Sequence, residues 1–323
     1  MMHRRRALSL ALAMCCGCTT VAQAQNIYPN KPVKFVVAFA PGGPADIIAR
    51  LLGQRLSESL GQPVVVENKA GAGGNVASSL VAKAPADGYT LMLNTSSFAV
   101  NASLTKNPGF DAEKDFVLAS VVASSPNLLV AYPGLKPKNL QDIMTEAKSG
   151  KLNYGTAGAG TTPHLTAEYL FKVLGKVNVT HIPFQGAGPA LAATMGGQIE
   201  MASVALPAAV EMVKGGKVRG LAVTSAKRVA SMPEVPTVAE SGFPGFEDYT
   251  WVGVFAPTKT PPELVSFLNI EIGKILRTPD FQLKLAGVGF EPVGGTPKEA
   301  SDYLKSEITK WSKIIKETGT KVE

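Results

Sequence analysis

Short apolar runs alternate along this chain with stretches whose apolar residues recur every three or four positions, the pattern of strands joined by crossover helices. Residues 33–39 read as a first strand, and Ile47, Ile48, Leu51, Leu52, Leu56 and Leu60 lay one apolar stripe along a helix over 44–60. A second strand is predicted at 64–66, ending at Asn68, then a glycine-rich turn at 71–74 and a helix from about 75 to 84. The third strand is expected at 89–93, with a polar tip at 94–97. Alternation of this kind predicts parallel sheets covered by helices.

An apolar run over 116–132 is broken by Ser124-Ser125-Pro126 and reads as a strand leaving one domain for another. The segment that follows has its own alternation, with a helix near 139–148 and strands near 152, 179, 199 and 218–224. A second extended run at 251–256 is the expected return crossing. The C-terminal helix is plainly signalled: Thr296 caps it, Pro297 begins it, Ala300, Tyr303, Leu304, Ile308, Trp311 and Ile315 share one face, and Gly319 ends it. Two crossings between two lobes describe a hinged α/β clamshell. Residues 25–124 with 253–323 form one domain and 125–252 the other, and a ligand would lie between them at the carboxyl ends of the strands.

The loop between the first strand and helix, Phe39-Ala-Pro-Gly-Gly-Pro-Ala-Asp46, is the richest in chemistry. Pro44 suits the first helical position, and Gly42 and Gly43 leave the backbone amides bare of any Cβ. A helix start with exposed donors at the positive end of its dipole is an anion site in outline. The arrangement recurs where 157–162 lead to Pro163 and where 185–188 lead to Pro189. Asp46 can reach back to the free amides of its own helix start, a capping role that competes with any contact to a ligand. The stretches 38–46, 71–78, 94–101, 155–164 and 183–190 contain no Lys or Arg. If these line the cleft, an anion is held there by amides, hydroxyls and dipoles.

The amino-terminal two dozen residues read as an export signal. Arg4-Arg5-Arg6 precedes a short apolar core at 7–14, and Ala22-Gln23-Ala24 fits a cleavage site that leaves Gln25 first. All three cysteines, Cys15, Cys16 and Cys18, fall inside residues 1–24, so the mature chain is expected to carry no disulfide, no thiol chemistry and no cysteine metal site. A lipoprotein signal acylated at Cys18 is the rival reading, weakened by Cys15-Cys16-Gly17 where an aliphatic residue is usual. Removing Arg4, Arg5 and Arg6 takes Lys+Arg from 32 to 29 against 25 acids, and the charge from +7 to +4. That mild, scattered positive balance is no nucleic-acid footprint.

Catalytic readings find little support. The chain has no Gly-x-Ser-x-Gly elbow and no phosphate-loop lysine motif, and Gly71-Ala-Gly-Gly-Asn-Val76 fails the dinucleotide fingerprint at its last position. His164 and His181 lack metal-ligand spacing, so neither a metal nor another cofactor is expected. His181 reads as structural. His164 falls in the first turn after Pro163, where it can face the cleft or brace the helix start.

Taken in order, these motifs resemble the Bug (TctC-like) family, receptors of tripartite tricarboxylate transporters. The likeness runs from about Tyr28 to the end. It rests on Tyr28-Pro-Asn-Lys-Pro-Val, Pro41-Gly-Gly-Pro-Ala-Asp46, Val64-Val-Val-Glu-Asn68, Gly71-Ala-Gly-Gly-Asn75 and Ala86-Asp-Gly-Tyr-Thr-Leu91. It continues through Tyr154-Gly-Thr, Pro163-His-Leu, Gly196-Gly-Gln-Ile-Glu200, Pro233-Glu-Val-Pro-Thr-Val-Ala-Glu240 and Trp251-Val-Gly-Val-Phe-Ala-Pro257. The resemblance implies a two-domain periplasmic binding protein of the type II fold, a monomer that is not an enzyme and takes a small organic carboxylate between its lobes. It implies ligand contacts at Phe39, Pro41, Gly42, Gly43 and Asp46, with Thr95 and Ser96 nearby, and at Thr156, Thr161, Thr162, His164, Gln185 and Gly186 in the second lobe. Val204 stands where relatives often carry an Asp, which places a polar contact to the far end of the ligand in doubt. The implied partners are membrane permease subunits. A sensor subunit signalling to a membrane kinase, or an enzyme on the same hinged fold, are the alternatives.

With Asp46 assigned to its own helix and Val204 in place of an acid, the loops offer no counter-charge for an ammonium group. The expected ligand is therefore a carboxylate without an amino group, its body packed on Phe39, Phe98 or Phe184. Intact-mass measurement of the exported protein is expected to show an unmodified chain beginning at Gln25; a diacylglyceryl mass on Cys18 would show the other type of signal.

Overall fold

In the computed structural model, residues 28–150 and 152–321 are described. The fold below is that of the unit that begins at Lys31. The export signal, its cleavage site and the three cysteines lie outside the described residues.

β1 (Val33–Val37) is buried on both faces except at Lys34, because it runs parallel between β2 (Val64–Asn68) and β3 (Thr90–Thr95). Its carboxyl end feeds the loop that opens α1 (Pro44–Leu60), whose Ile48, Ala49, Leu52 and Leu56 pack inward and whose end is closed by Gly61 in the left-handed conformation. α2 (Asn75–Ala82) lies between β2 and β3. The expected polar tip at 94–97 is something else: Asn94 and Thr95 finish β3, and Ser97 begins α3 (Ser97–Leu104). That helix escapes a periodicity search because six of its eight residues are buried, which leaves no polar face to mark it.

The expectation of wholly parallel sheets is corrected at the centre. β9 (Tyr249–Pro257) pairs antiparallel with both β3 and β4 (Phe116–Ala131), since the chain crosses from lobe to lobe once in each direction. β4 runs unbroken for 16 residues, straight through the Ser124-Ser125-Pro126 interruption. Its stretch from Phe116 to Pro126 pairs with β9, and with β10 (Glu291–Gly294) at Val121, Ala123 and Ser124. From Asn127 to Ala131 it pairs instead with β7 (Met201–Ala205) and, from Leu128, with β8 (Arg219–Val223). β7 runs parallel to β5 (Asn153–Thr156), and β5 to β6 (Thr180–Pro183). The strand path is thus β2-β1-β3-β9-β4-β7-β5-β6, one sheet shared between two lobes.

Around the second lobe lie α4 (Leu140–Glu146), α5 (Thr162–Glu168, continued by a π-helical stretch to Leu174), α6 (Ala187–Met195) and α7 (Val210–Lys214). α8 (Pro262–Leu276), α9 (Pro279–Gly287) and α10 (Pro297–Thr318) close the chain. α10 carries the signalled capping box between Thr296 and Glu299, and Gly319 as its left-handed C-cap.

On the buried face of α10, Glu307 Oε2 accepts both indole N–H groups, from Trp251 (2.9 Å) and Trp311 (3.1 Å), while Oε1 meets Lys310 Nζ (3.2 Å). Lys310 also pairs with Asp248 Oδ1 (2.9 Å), and Asp248 Oδ2 accepts from Asn127 Nδ2 (3.0 Å) and Thr166 Oγ1 (2.5 Å). Burial raises the Asp248 carboxyl despite Lys310 and Thr166, which favour its charged form. The net joins α10, α5 and both crossing strands at the point where β4 changes sheets. In the second lobe His164 stacks on His181 with ring centroids 3.8 Å apart. Burial, then the nearby Lys172 charge, lowers His164 to about 4; burial and the neighbouring His164 lower His181 to about 3.

Two outcomes follow from these clusters. Glu307→Ala strands two buried indole donors and is expected to cost about 2–5 kcal/mol in urea denaturation, with Glu307→Gln costing less; a change within about 0.5 kcal/mol would show the indoles find other acceptors. The unfolded histidines take protons near 6.5 while the folded ones resist to about 4 and 3, so the unfolded chain binds more protons in between. Stability should therefore rise with pH across that window, by up to about 1.4 kcal/mol per pH unit per histidine. Replacing both with glutamine should flatten the profile relative to wild type between pH 4 and 6.5, and an unchanged slope would remove the histidines as its source.

Candidate functional site

The carboxyl ends of β1, β3, β5 and β6 deliver their loops to one cleft, and the five stretches that lack Lys and Arg all reach it. Two connected spaces are found there. One of about 250 Å³ lies between Phe39-Ala40 and residues 70–75 on one side and Ala157–Ala159 with Pro183–Gln185 on the other. A smaller one of about 30 Å³ sits deeper, against Pro44, Thr95, Ser97, Thr161, Ala187 and Ala205. Phe39 and Ala157 line both. No residue lining either space is ionisable.

Positive potential comes instead from helix starts. α1, α2, α3, α5 and α6 all begin at this cleft, and none has a side-chain cap at its N-cap (Gly43, Gly74, Ser96, Thr161 and Gly186). α4 and α10, which begin elsewhere, are capped by Asn139 and Thr296. α7, α8 and α9 also lack caps: α7 follows a 3-10 turn at Leu206–Ala208, while Pro261-Pro262 and Thr278-Pro279 are exposed, so water serves the amides of α8 and α9. At α3 the Thr95 hydroxyl takes the Ser97 N–H (3.2 Å); the other starts at the cleft are shielded from bulk water and lie beside the two spaces, where the positive ends of their dipoles favour an anion.

The loops are braced from behind. Asp46 accepts the Gly42 N–H (2.9 Å), Asn68 Nδ2 (2.9 Å) and the Arg50 guanidinium (2.9 Å). Asn68 also donates to Phe39 O (2.9 Å). Burial pushes the Asp46 carboxyl up, but Arg50, the Gly42 amide and Asn68 outweigh it and hold the group below the usual carboxylate range. Asp46 is therefore the strut of its own loop, and its place among ligand contacts is corrected. His164 Nδ1 accepts the Gly160 N–H (3.2 Å) and is turned away from the cleft in the same sense. Thr156 Oγ1 is bound to His181 Nε2 (2.7 Å) and to the Gly158 amide (3.2 Å). Ser96 and Thr162, expected as ligand hydroxyls, are fully buried and hydrogen-bonded to each other across the cleft.

Of the remaining expected contacts, Phe39, Thr95 and Thr161 line the deep space and Gln185 the outer one. Pro41 and Gly42 are exposed on the outer bend of their loop, while Gly43 and Gly186 are buried at helix starts. Val204 lines neither space: it lies in the apolar cluster with Leu128, Ala187 and Leu191, with no exposed surface. Strand alternation turns its neighbour Ala205 to the cleft instead. Sequence reasoning missed Ala157, Ala187 and Ala205, since an alanine carries no chemical signal of its own, and it missed Asn101, a buried amide within α3.

Residues 48–320 match the family described as "Tripartite tricarboxylate transporter family receptor". The chain is 37% identical over 302 residues to Protein BugT of Bordetella pertussis, covering 92% of each. Among solved structures it is similar to Rpa4515 of R. palustris with adipate (37% identity, TM-score 0.87, 90% of this chain and 98% of that one). It is also similar to MatC of Rhodopseudomonas palustris with bound malate (33% identity, TM-score 0.84, 89% of this chain and 100% of that one). The chain thus belongs to the Bug (TctC) family, the receptors of tripartite tricarboxylate transporters.

Proposed function

We infer that this receptor captures a small organic carboxylate without an amino group, in the periplasm, and presents it to the membrane subunits of a tripartite transporter. One observation carries the reading: four helix starts without a side-chain cap, those of α1, α2, α5 and α6, gather at a cleft lined by no ionisable side chain. Amides bound to a charged acceptor contribute about 1.5–3 kcal/mol each. Four or five of them, less the cost of ordering a ligand, reach the roughly −8 kcal/mol of a micromolar site without an arginine. The adipate and malate bound by two similar structures agree with a carboxylate as the common element.

An ammonium group fares badly in the same place. Asp46 is the nearest acid on the loops and is saturated by Gly42, Asn68 and Arg50. The remaining acceptors are neutral, and an unpaired cation in a closed cleft is strongly disfavoured. Among the described residues no helix is long and apolar enough to cross a membrane, which agrees with a receptor that works beside its membrane partner. On this reading residues 25–124 with 253–323 and residues 125–252 are the two jaws, and β4 and β9 the hinge between them.

Calorimetry and thermal shift with matched pairs test the assignment: succinate against aspartate, adipate against 2-aminoadipate, 3-phenylpropanoate against phenylalanine. The amine-free member of a pair should bind at least about tenfold more tightly, and a ligand at a hundred times its dissociation constant should stabilise the fold by about 2.7 kcal/mol. Ala157→Phe, which fills the cleft from the second lobe, should abolish that stabilisation while leaving the unliganded fold intact. Tighter binding of the amino acid in any pair would overturn the missing counter-charge.

A further inference from the structure

Asn101 lies on α3 in the first lobe, only 2% exposed, on the wall of the larger cleft space and beyond the first turn of its helix. Its carboxamide nitrogen reaches three carbonyls: Ser97 O on its own helix (2.8 Å), Gly73 O in the turn before α2 (3.1 Å) and Gly160 O in the loop before α5 of the second lobe (3.1 Å). Its Oδ1 accepts from Thr105 Oγ1 (3.0 Å), which in turn accepts from Asn75 Nδ2 (3.1 Å). Three of its four partners belong to the first lobe and hold the amide rigid; the fourth, Gly160 O, belongs to the other jaw.

The fit is close on both sides. Gly160 has φ 76°, and a Cβ there would stand 2.6 Å from Asn101 Oδ1. Gly73 has φ 63°, and a Cβ there would meet Ala159 O at 2.7 Å. The lobes therefore touch backbone to backbone around this one side chain, with the Ser96–Thr162 hydrogen bond beside it. We propose that Asn101 is a latch: a pre-positioned amide that clips the Gly160 carbonyl of the second lobe and holds the jaws closed before any ligand adds its own contacts. A latch of this kind raises the closed fraction of the free chain, and apparent affinity scales with that fraction for every ligand alike. Asn101 is thus a positioning residue that sets how tightly the receptor holds its ligands, while the loops set which ones it takes. The latch does not depend on which ligand the cleft accepts, and its first test uses none.

That test measures lobe separation by electron–electron resonance between spin labels at Leu80→Cys on α2 and Met195→Cys on α6, both exposed positions. In the free chain Asn101→Ala should lower the closed-to-open ratio about twofold to tenfold, the worth of one neutral hydrogen bond. Asn101→Asp, the same shape with oxygens facing three carbonyls, should lower it further. Because both variants also loosen α3, the second lobe supplies an independent probe: Gly160→Ala drives a methyl against the latch and should open the jaws equally. Gly150→Ala, at φ 74° with open space around it, serves as control for alanine in that backbone region. Wild-type distance distributions in Asn101→Asp and Gly160→Ala, or a free wild-type chain with no closed population, would overturn the latch. If succinate or adipate binds, each variant should weaken both by the same factor; a change in their ratio would make Asn101 a ligand contact instead.

Discussion

A cleft that holds charge with backbone amides must keep those amides bare at the front and fixed from behind. The loops at 39–46, 71–74 and 157–161 obey that constraint. Asp46 and Asn68 hold the 39–46 loop, His164 and Asn101 hold Gly160, Thr156 holds Gly158, and Asn101 holds the turn at Gly73. Each brace is a buried or half-buried polar group that bonds the loop behind it. An unbraced glycine-rich loop would lose its conformation to entropy before it could gain a ligand. Several polar side chains at the cleft are thus its scaffold, and the cleft surface is mainly alanine, glycine and proline, joined by Phe39, Phe184 and neutral polar side chains such as Thr95, Thr161, Asn101 and Gln185.

The same division of labour appears at the hinge. β4 and β9 carry the chain between lobes, and a free pair of strands there would allow twisting as well as opening. The Asn127–Asp248–Lys310–Glu307 net ties both strands to α10 and α5, with two indoles bound to its far end. A buried ionic net is a poor source of stability but a good source of specificity, because its members tolerate few other geometries. It restricts the crossing strands to the motion that keeps the net whole.

Much of this was legible in the sequence. The loop after β1, the caps of α10 and the return strand at 249–257 follow from proline, glycine and threonine at positions where only a few conformations suit them. The antiparallel centre of the sheet was not, because strand direction is a property of the crossing and leaves no trace in periodicity. Pro126 reads as a break, yet it stands where β4 leaves one set of partners for another, and a missing N–H costs nothing there. Val204 and Ala205 show how fine the limit is, since one residue of strand phase separates the apolar layer from the cleft. Ser96 and Thr162 were expected to meet a ligand, and here they bond each other. Nothing in a sequence says that two such groups from distant segments satisfy each other.

The absence of an ionic clamp has a consequence for specificity. An arginine fork rewards one planar acid geometry and fixes where that acid must sit. Converging amides and dipoles reward negative charge over a volume, so a cleft of this kind tolerates different acids and discriminates by what else the ligand carries. Discrimination then falls to exclusion: a cation finds no counter-charge, and a bulky body meets Phe39 and Ala157, the two residues that line both spaces. One backbone design can in this way serve receptors for chemically different carboxylates. A change of a few small residues at the rim, such as Ala157, Ala187 or Ala205, would redirect selection without disturbing the braces on which the fold of the site depends.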